Sequence, residues 1–385
     1  MPMHSSLIPR EGFTFDIIAR VVRATALNPA VLLPIITLAL FTRKGQELSI
    51  LHPAVGKLLR SLLYAGLWRV LSEWLSDGML NGWVGDSYDW TEEVVLITGG
   101  AGGIGGEMVK LFEEKGITVV VLDVQPLTFT TSSNVHYYQC DLRAAHNVEA
   151  VAARIRAEVG SPTVVINNAG VSRGRSVLDS TADDVRFTFD VNALAPFWAA
   201  QTFVPDMVAR DHGMFVTVSS LSAHMPMPNM VDYAASKAGS VSLHEGLTAE
   251  LRAVHGAHRV RTVLVQTGHV ATPLFRGFRQ DFGFLMPKLC PETVAEAVVH
   301  KVLSGTSGSV TLPAFGSLAT SLRSCPDWFQ YYLRPRFGRR SRWDGRQVIE
   351  DISPPYETNK ASRSSLGESD VGESTVLVSS QDHKE

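Results

Sequence analysis

Residues 92–107 read EEVVLITGGAGGIGGE, and the fold turns on how they are taken. Val94, Val95, Leu96 and Ile97 make a compact, β-branched apolar run that stops abruptly at glycine, the pattern of a buried strand. Thr98 follows, then Gly99, Gly100, Gly102, Gly103, Gly105 and Gly106, then a charged helix-forming segment that ends at Gly116. Strand, glycine turn and helix in that order let backbone N–H groups approach a pyrophosphate with the positive end of the helix beneath it. A glycine-rich turn alone is equally the mark of a flexible loop, so the flanking chain decides.

Working outward, short apolar runs alternate with amphipathic helices. Ile117–Leu122 reads as a second strand and ends at Asp123, where a carboxylate at the strand tip can accept from a ribose diol and would repel a 2′-phosphate. NAD(H) is favoured over NADP(H) on that residue, and NADP(H) stays open. Val135–Gln139 is a third strand leading to Cys140, Asp141 and Leu142, with Asp141 placed either to cap the next helix or to accept from an adenine amine. Thr163–Ile166 is a fourth, running into Asn167-Asn168-Ala169-Gly170. Residues 179–210 are expected to be helical, with Asn192 inside. Further strands are expected at Met214–Val218, Val260–Val265 and Ser309–Leu312. The alternation predicts an α/β fold: one doubly wound, Rossmann-type parallel sheet with helices on both faces.

The ends of the chain differ. Ala26–Phe41 carries no charge but is interrupted by Pro34 and is shorter than the roughly 20 residues of a comfortable spanning helix. It fits a hairpin in one leaflet or an interfacial helix, or else a hydrophobic helix docked on the domain. Residues 50–90 continue at helical spacing with Trp68, Trp74, Trp83 and Trp90 among them. The organisation read from this is a membrane-associating helical arm over 1–90, a catalytic domain over 91–315, an amphipathic basic extension over 316–349 and a disordered, serine-rich tail over 350–385. Arg323–Arg346 holds seven arginines against two acidic residues, whereas the tail is acidic. A net charge of -3 gives no reason to expect nucleic acid, and three scattered cysteines form neither a metal cluster nor a disulfide framework. Residues 275–294, aromatic-rich, punctuated by glycine and of low regularity, suggest a mobile flap over a pocket.

Tyr233 and Lys237 lie four apart on one predicted helix and so share a face. An ammonium beside a phenol favours the phenolate and brings it within range of acid–base work, while Ser220, at a strand end, can bond the same substrate oxygen. Thr98-Gly99…Gly103-Ile104-Gly105, Asn167-Asn168-Ala169-Gly170, Asn192, Ser220 and Tyr233…Lys237 together resemble the motif set of the short-chain dehydrogenase/reductase family, over roughly residues 92–312.

That resemblance implies a cofactor site at Thr98, Gly99, Gly103, Ile104, Gly105, Asp123, Asp141, Leu142, Asn168, Ala169, Gly170, Tyr233, Lys237, Gly268, Val270 and Thr272, and no metal. It implies Tyr233 as acid/base, Lys237 lowering the phenol pKa and binding the ribose, Ser220 orienting the substrate oxygen, and Asn192 holding a water in a proton relay. The family commonly has Pro-Gly after the sixth strand; here Thr267-Gly268 stands there, which predicts a less rigid loop. His269 beside it reads as a loop histidine rather than a second acid.

The arm, the flap and the WFQYYL segment are similar to the membrane- and lipid-droplet-associated branch acting on retinoids, steroids and long-chain lipids. From this follow a hydrophobic small-molecule substrate, a cytosol-facing catalytic domain at the endoplasmic reticulum or a lipid droplet, and the family's usual homodimer. An NADPH-dependent reductase of small or secondary-metabolite ketones, and a non-catalytic lipid-surface scaffold, are the alternatives.

Overall fold

The structure, a computed structural model, describes residues 9–339 and 341–343. The expected tail at 350–385, and Arg340 and Arg346 of the basic stretch, lie outside the described residues.

Four helices come first: α1 (Phe15–Ala24), α2 (Pro29–Phe41), α3 (Arg43–Leu51) and α4 (Pro53–Leu80). Pro29 opens α2 at its first turn, where its missing N–H is harmless, and the Asn28 side chain accepts from the Ala30 N–H at 3.0 Å. Among the described residues no single helix is long and apolar enough to cross a membrane; α1 and α2 meet that test only together, bent by 50°.

This segment is stitched to the rest of the chain at two places. At the end of α4 the Arg252 guanidinium donates to the Met79 and Leu80 carbonyls, and buried Arg261 donates to those of Asn81 (2.9 Å) and Val84 (2.7 Å). Cations thus sit at the carboxyl end of a helix, where the helix dipole favours positive charge. Ahead of α1, Arg10 forms a bidentate pair with Glu296 (2.8 and 2.7 Å), and Glu11 accepts from the Cys290 N–H (2.9 Å). The Phe15 N–H donates to the Phe284 carbonyl, and Asp16 accepts from the Ala314 N–H, both at 2.9 Å.

The sheet is built from β1 (Val94–Thr98), β2 (Thr118–Asp123), β3 (Val135–Gln139), β4 (Val164–Asn167), β5 (Gly213–Ser220), β6 (Val260–Thr267) and, after the three-residue strand β7 (Phe278–Gln280), β8 (Gly308–Leu312). Its order is β3-β2-β1-β4-β5-β6-β8 and every pair is parallel. Between the strands run α5 (Gly103–Glu113), α6 (Ala145–Glu158), α7 (Ala182–Phe189), α8 (Ala195–Arg210), α9 (Val231–Ala253) and α10 (Pro291–Leu303).

Alternation along β1 shows why its apolar run is unbroken. Val95 and Ile97 join a core with Met108, Val109 and Phe112 of α5 and Val298 of α10, while Val94 and Leu96 join one with Ile155 of α6 and Phe203 of α8. Both faces of a parallel sheet are covered, so neither set of side chains can be polar. Strand order reverses between β1 and β4, which opens a crevice at the carboxyl ends of these strands.

Two expectations are corrected. The helix expected over 179–210 begins at Ala182 and is interrupted by a π turn at Asp190–Leu194, so that it forms α7 and α8. The 275–294 segment is less irregular than composition suggests: β7 pairs antiparallel with β9 (Ser341–Trp343), which follows α11 (Gly316–Thr320) and α12 (Asp327–Arg339). That pairing partner lies some sixty residues away, beyond the reach of local pattern reading.

Candidate active site

The glycine turn packs against the Asn168-Ala169 step. Gly99 adopts φ +68, and a Cβ there would lie 2.8 Å from the Ala169 Cα; at Gly105 it would lie 2.1 Å from the Gly99 carbonyl. Glycine is required at both by close backbone approach. Thr98 fastens the two segments, its hydroxyl accepting from the N–H groups of Asn168 (3.0 Å) and Ala169 (3.1 Å). The Asn168 amide donates to the Thr98 and Gly99 carbonyls, both at 3.1 Å. No side chain caps α5 at Gly102, and a Cβ at Gly102 would meet nothing within 4 Å. Gly102, Gly103 and Ile104 line a cavity, so the uncapped start of the helix borders open space, an arrangement suited to a phosphate.

A cavity of about 590 Å³ runs from this turn along the crevice. Its lining includes Gly99, Gly103, Ile104, Asp123, Asp141, Leu142, Asn168, Ala169, Gly170, Tyr233, Lys237, Val270 and Thr272. Length, glycine cradle, uncapped helix and a strand-end carboxylate fit a dinucleotide. Asp123 accepts from the Ala101 N–H through one oxygen and the Gln125 N–H through the other, both at 2.9 Å, so its carboxylate is aimed by the backbone.

Asp141 is not a helix cap: the residue before α6 is Ala144, and no side chain caps it. Asp141 instead grips the Arg143 guanidinium (2.9 Å to Nε). Burial works to raise its carboxyl, but the hydrogen bonds and charge of Arg143 prevail and hold it below the usual range.

Near the other end stand the serine, tyrosine and lysine. Lys237 donates from Nζ to the Val218 carbonyl at 2.9 Å, and Ser220 donates to the Thr267 carbonyl at 3.2 Å while accepting from the Ser222 N–H. Burial pushes the Tyr233 phenol up to about 12, with a hydrogen bond to Ser220 pulling the other way. Burial pulls the Lys237 ammonium down to about 8. Both shifts have the same origin, since a low-dielectric site disfavours whichever form is charged.

Asn192 sits at the π turn and is 1 % exposed. Its side chain accepts from the Val171 N–H (2.8 Å) and donates to the Val171 carbonyl (2.8 Å) and the Ser236 hydroxyl (3.0 Å). Those bonds occupy the amide as a clamp between the segment after Gly170 and α9.

Of the residues named from sequence, Thr98, Gly105, Gly268, Ser220 and Asn192 do not line the cavity but hold those that do. Thr267 ends β6 in register with Ser220 and Leu312, and the Gly268 N–H donates to the Leu312 carbonyl at 2.7 Å. The loop thus leaves from a bonded strand end although the proline is missing. His269 is 8 % exposed between the rings of Phe275 and Phe278, and burial, then Lys288, pulls its pKa to about 4.

Sequence reading missed a corner of the cavity formed by Arg143, Arg173 and Phe187, where both guanidinium groups lie on the phenyl ring (5.4 and 4.2 Å). The available signal was position, since Arg143 follows Leu142 and Arg173 closely follows Gly170.

The profile of the short chain dehydrogenase family matches residues 93–282. A dehydrogenase of Cochliobolus heterostrophus is 41% identical over 198 residues, covering 51% of this chain and 75% of that protein. Human short-chain dehydrogenase/reductase 3 is 35% identical, covering 56% and 73%, and mouse epidermal retinol dehydrogenase 2 is 30% identical, covering 65% and 79%. A structure of 4-hydroxyisoleucine dehydrogenase complexed with NADH superposes with a TM-score of 0.51 at 21% identity, over 57% of this chain and 96% of that one.

The chain belongs to the short-chain dehydrogenase/reductase family. It is accordingly a nicotinamide-dependent oxidoreductase of the short-chain alcohol dehydrogenase/reductase type.

Proposed function

We propose that this enzyme interconverts a hydroxyl and a carbonyl on a hydrophobic substrate, of the retinoid, steroid or long-chain lipid kind, using NAD(H). The observation that carries the reading is the position of Tyr233, which borders the cavity while its ring packs in an apolar cluster with Met230 and Phe278. Met227, Phe275 and Trp343 pack on the same cluster. A polar reacting atom held in apolar walls suits an alcohol or carbonyl on an apolar body. The retinol dehydrogenase among its relatives supports the class.

The nicotinamide supplies or accepts the hydride, and the protein supplies position and proton. Tyr233 holds the proton at its phenol oxygen, giving it to a nascent alkoxide in reduction and taking it from a hydroxyl in oxidation. Ser220, a hydrogen-bond partner of Tyr233 anchored on the Thr267 carbonyl, positions that phenol toward the substrate oxygen. Lys237 holds a cation near the phenol, and Asn192 fixes the chain beside it. Both amide hydrogens of Asn192 are taken, so a water held there would bond the second lone pair of its amide oxygen or its backbone carbonyl.

Asp123 supports NAD(H), since a 2′-phosphate would meet a carboxylate. Arg143 and Arg173 do not compensate, because they are paired with Asp141 and Asp184.

Attachment to a membrane or lipid-droplet surface, with the catalytic domain toward the cytosol, belongs to the same proposal. Support comes from a broad exposed apolar surface on the helical arm, including Phe41, Ile50 and Trp68. Exposed Trp328 and Tyr331 on α12 add to it, with Arg336 lying over Tyr332. Leu194 and Phe197, exposed at the start of α8, support a homodimer through that helix.

The test is Tyr233→Phe, assayed by NADH absorbance with retinol, steroid and long-chain alcohol substrates. Activity should fall by about 10²–10⁴-fold while NADH binding persists; a fully active variant would sink the assignment.

A further inference from the structure

The apolar wall beside Tyr233 is completed by chain that lies beyond the family match, which ends at residue 282. In the β7–β9 pair, Phe278 stands opposite Trp343. The Trp343 indole comes to 5.0 Å from the Phe278 ring and stacks at 21° on Phe275, 6.1 Å away. Phe275 in turn meets the Tyr233 ring edge-on at 5.7 Å and lines the cavity.

The segment that delivers Trp343 grips both loops bordering Tyr233. Phe337 of α12 lies 4.8 Å from Phe282 on one side. On the other, Gly338 approaches Pro228 so closely that a Cβ would fall 2.7 Å from the proline ring. Arg323, ahead of α12, donates to the Ala223 carbonyl at 2.7 Å. Loop 221–230 and the flap are therefore held at a fixed separation by one C-terminal strap, with Trp343 as its inner face.

We propose that Trp343 is a specificity-determining residue: by backing Phe275 it keeps that ring upright against Tyr233 and selects substrates with a rigid, flat apolar body over flexible chains. The physical ground is that aromatic faces held in place make full contact with a flat rigid partner, whereas a flexible chain loses rotamer entropy to match them. The proposal rests on the reading of Tyr233 as acid/base.

The test compares two secondary alcohols of similar carbon number, one fused-ring and one linear, on the full chain with NAD⁺. Binding is read by calorimetry and turnover by kcat/KM. Wild type should prefer the fused-ring alcohol, and Trp343→Ala should lower that preference about tenfold through KM, consistent with one aromatic contact of about 1–1.5 kcal/mol. Trp343→Phe should retain most of it.

Trp343→Leu, which keeps apolar volume, serves if the alanine variant does not fold. Equal binding of both alcohols by wild type, or an unchanged preference in the leucine and alanine variants, overturns the proposal. Tyr233→Phe is run alongside. If it stays active, the site reading has failed; if it is inactive while the Trp343 variants keep the preference, only the proposal about the wall has failed.

Discussion

Lys237 reaches past the Tyr233 ring, its Nζ 6.0 Å from the ring centre, to donate to the carbonyl of Val218 at 2.9 Å. The cation is thus pinned by β5 beside the phenol rather than left to find it. Burial holds Tyr233 near 12, so its base form is scarce at neutral pH in the free protein. Oxidation, which needs the phenolate, should therefore speed up from pH 7 to 10, and Lys237→Met should slow it by about 10²–10⁴-fold, measured as kcat/KM against pH.

The same lysine should show in stability. Its folded value near 8 lies below the ordinary 10.5, so the unfolded chain binds more protons between them. The associated stability is present above 10.5 and is lost as pH falls toward 8. Melting temperatures across that window should rise with pH in wild type more than in Lys237→Met.

Acid should destabilise the fold through two histidines. His244 and His269 are held neutral by burial, each with its pKa pulled to about 4 from 6.5. The unfolded chain takes up protons first, so this stability is present above pH 6.5 and disappears as pH falls to 4. Thermal melts should show that decline, and His244→Asn should flatten it.

Two glycines in one turn should respond oppositely. Gly105→Ala forces a methyl to within 2.1 Å of the Gly99 carbonyl and should cost about 1–3 kcal/mol and abolish NADH binding. Gly102→Ala meets open space from an extended φ of -168 and should fold normally. Denaturant melts and NADH fluorescence titration separate the two cases.

Asp123 should control the choice of cofactor. Asp123→Asn removes the charge and leaves one carbonyl oxygen, which can accept from the Ala101 N–H or the Gln125 N–H but not from both. The ratio of NADPH to NADH turnover should rise about tenfold, corresponding to the loss of roughly 1.4 kcal/mol of repulsion.

Membrane attachment and flap support should separate by mutation, although deletion of residues 1–45 would remove both. Serine at exposed Leu33, Leu38 and Phe41 should release the protein from vesicles in a flotation assay, with turnover of a soluble alcohol intact. Arg10→Ala breaks the pair with Glu296 instead; it should leave flotation unchanged and raise KM a few-fold, in line with about 1 kcal/mol for a partly exposed pair.

The sequence by itself determined the sheet and the order of its strands' chemistry. Apolar runs such as Val94–Ile97 and Ile117–Leu122, short and rich in β-branched residues, read as strands buried on both faces, and the glycine turn takes its meaning from the strand and helix that flank it. Tyr233 and Lys237 share a face by helical spacing alone. What tertiary structure decided depends on contacts between distant residues, which leave no local pattern. The π turn interrupts what composition reads as one helix, and it is at this turn that Asn192 clamps Val171. Pairing of Phe278 with Trp343 turns an apparently loose flap into a held wall. Phe15 and Glu11 join the N-terminal segment to that flap and Arg10 joins it to α10, so a segment that reads as a separate attachment is bonded to the catalytic domain. Periodicity reports which residues are buried and in what element; only the folded chain reports against which partner.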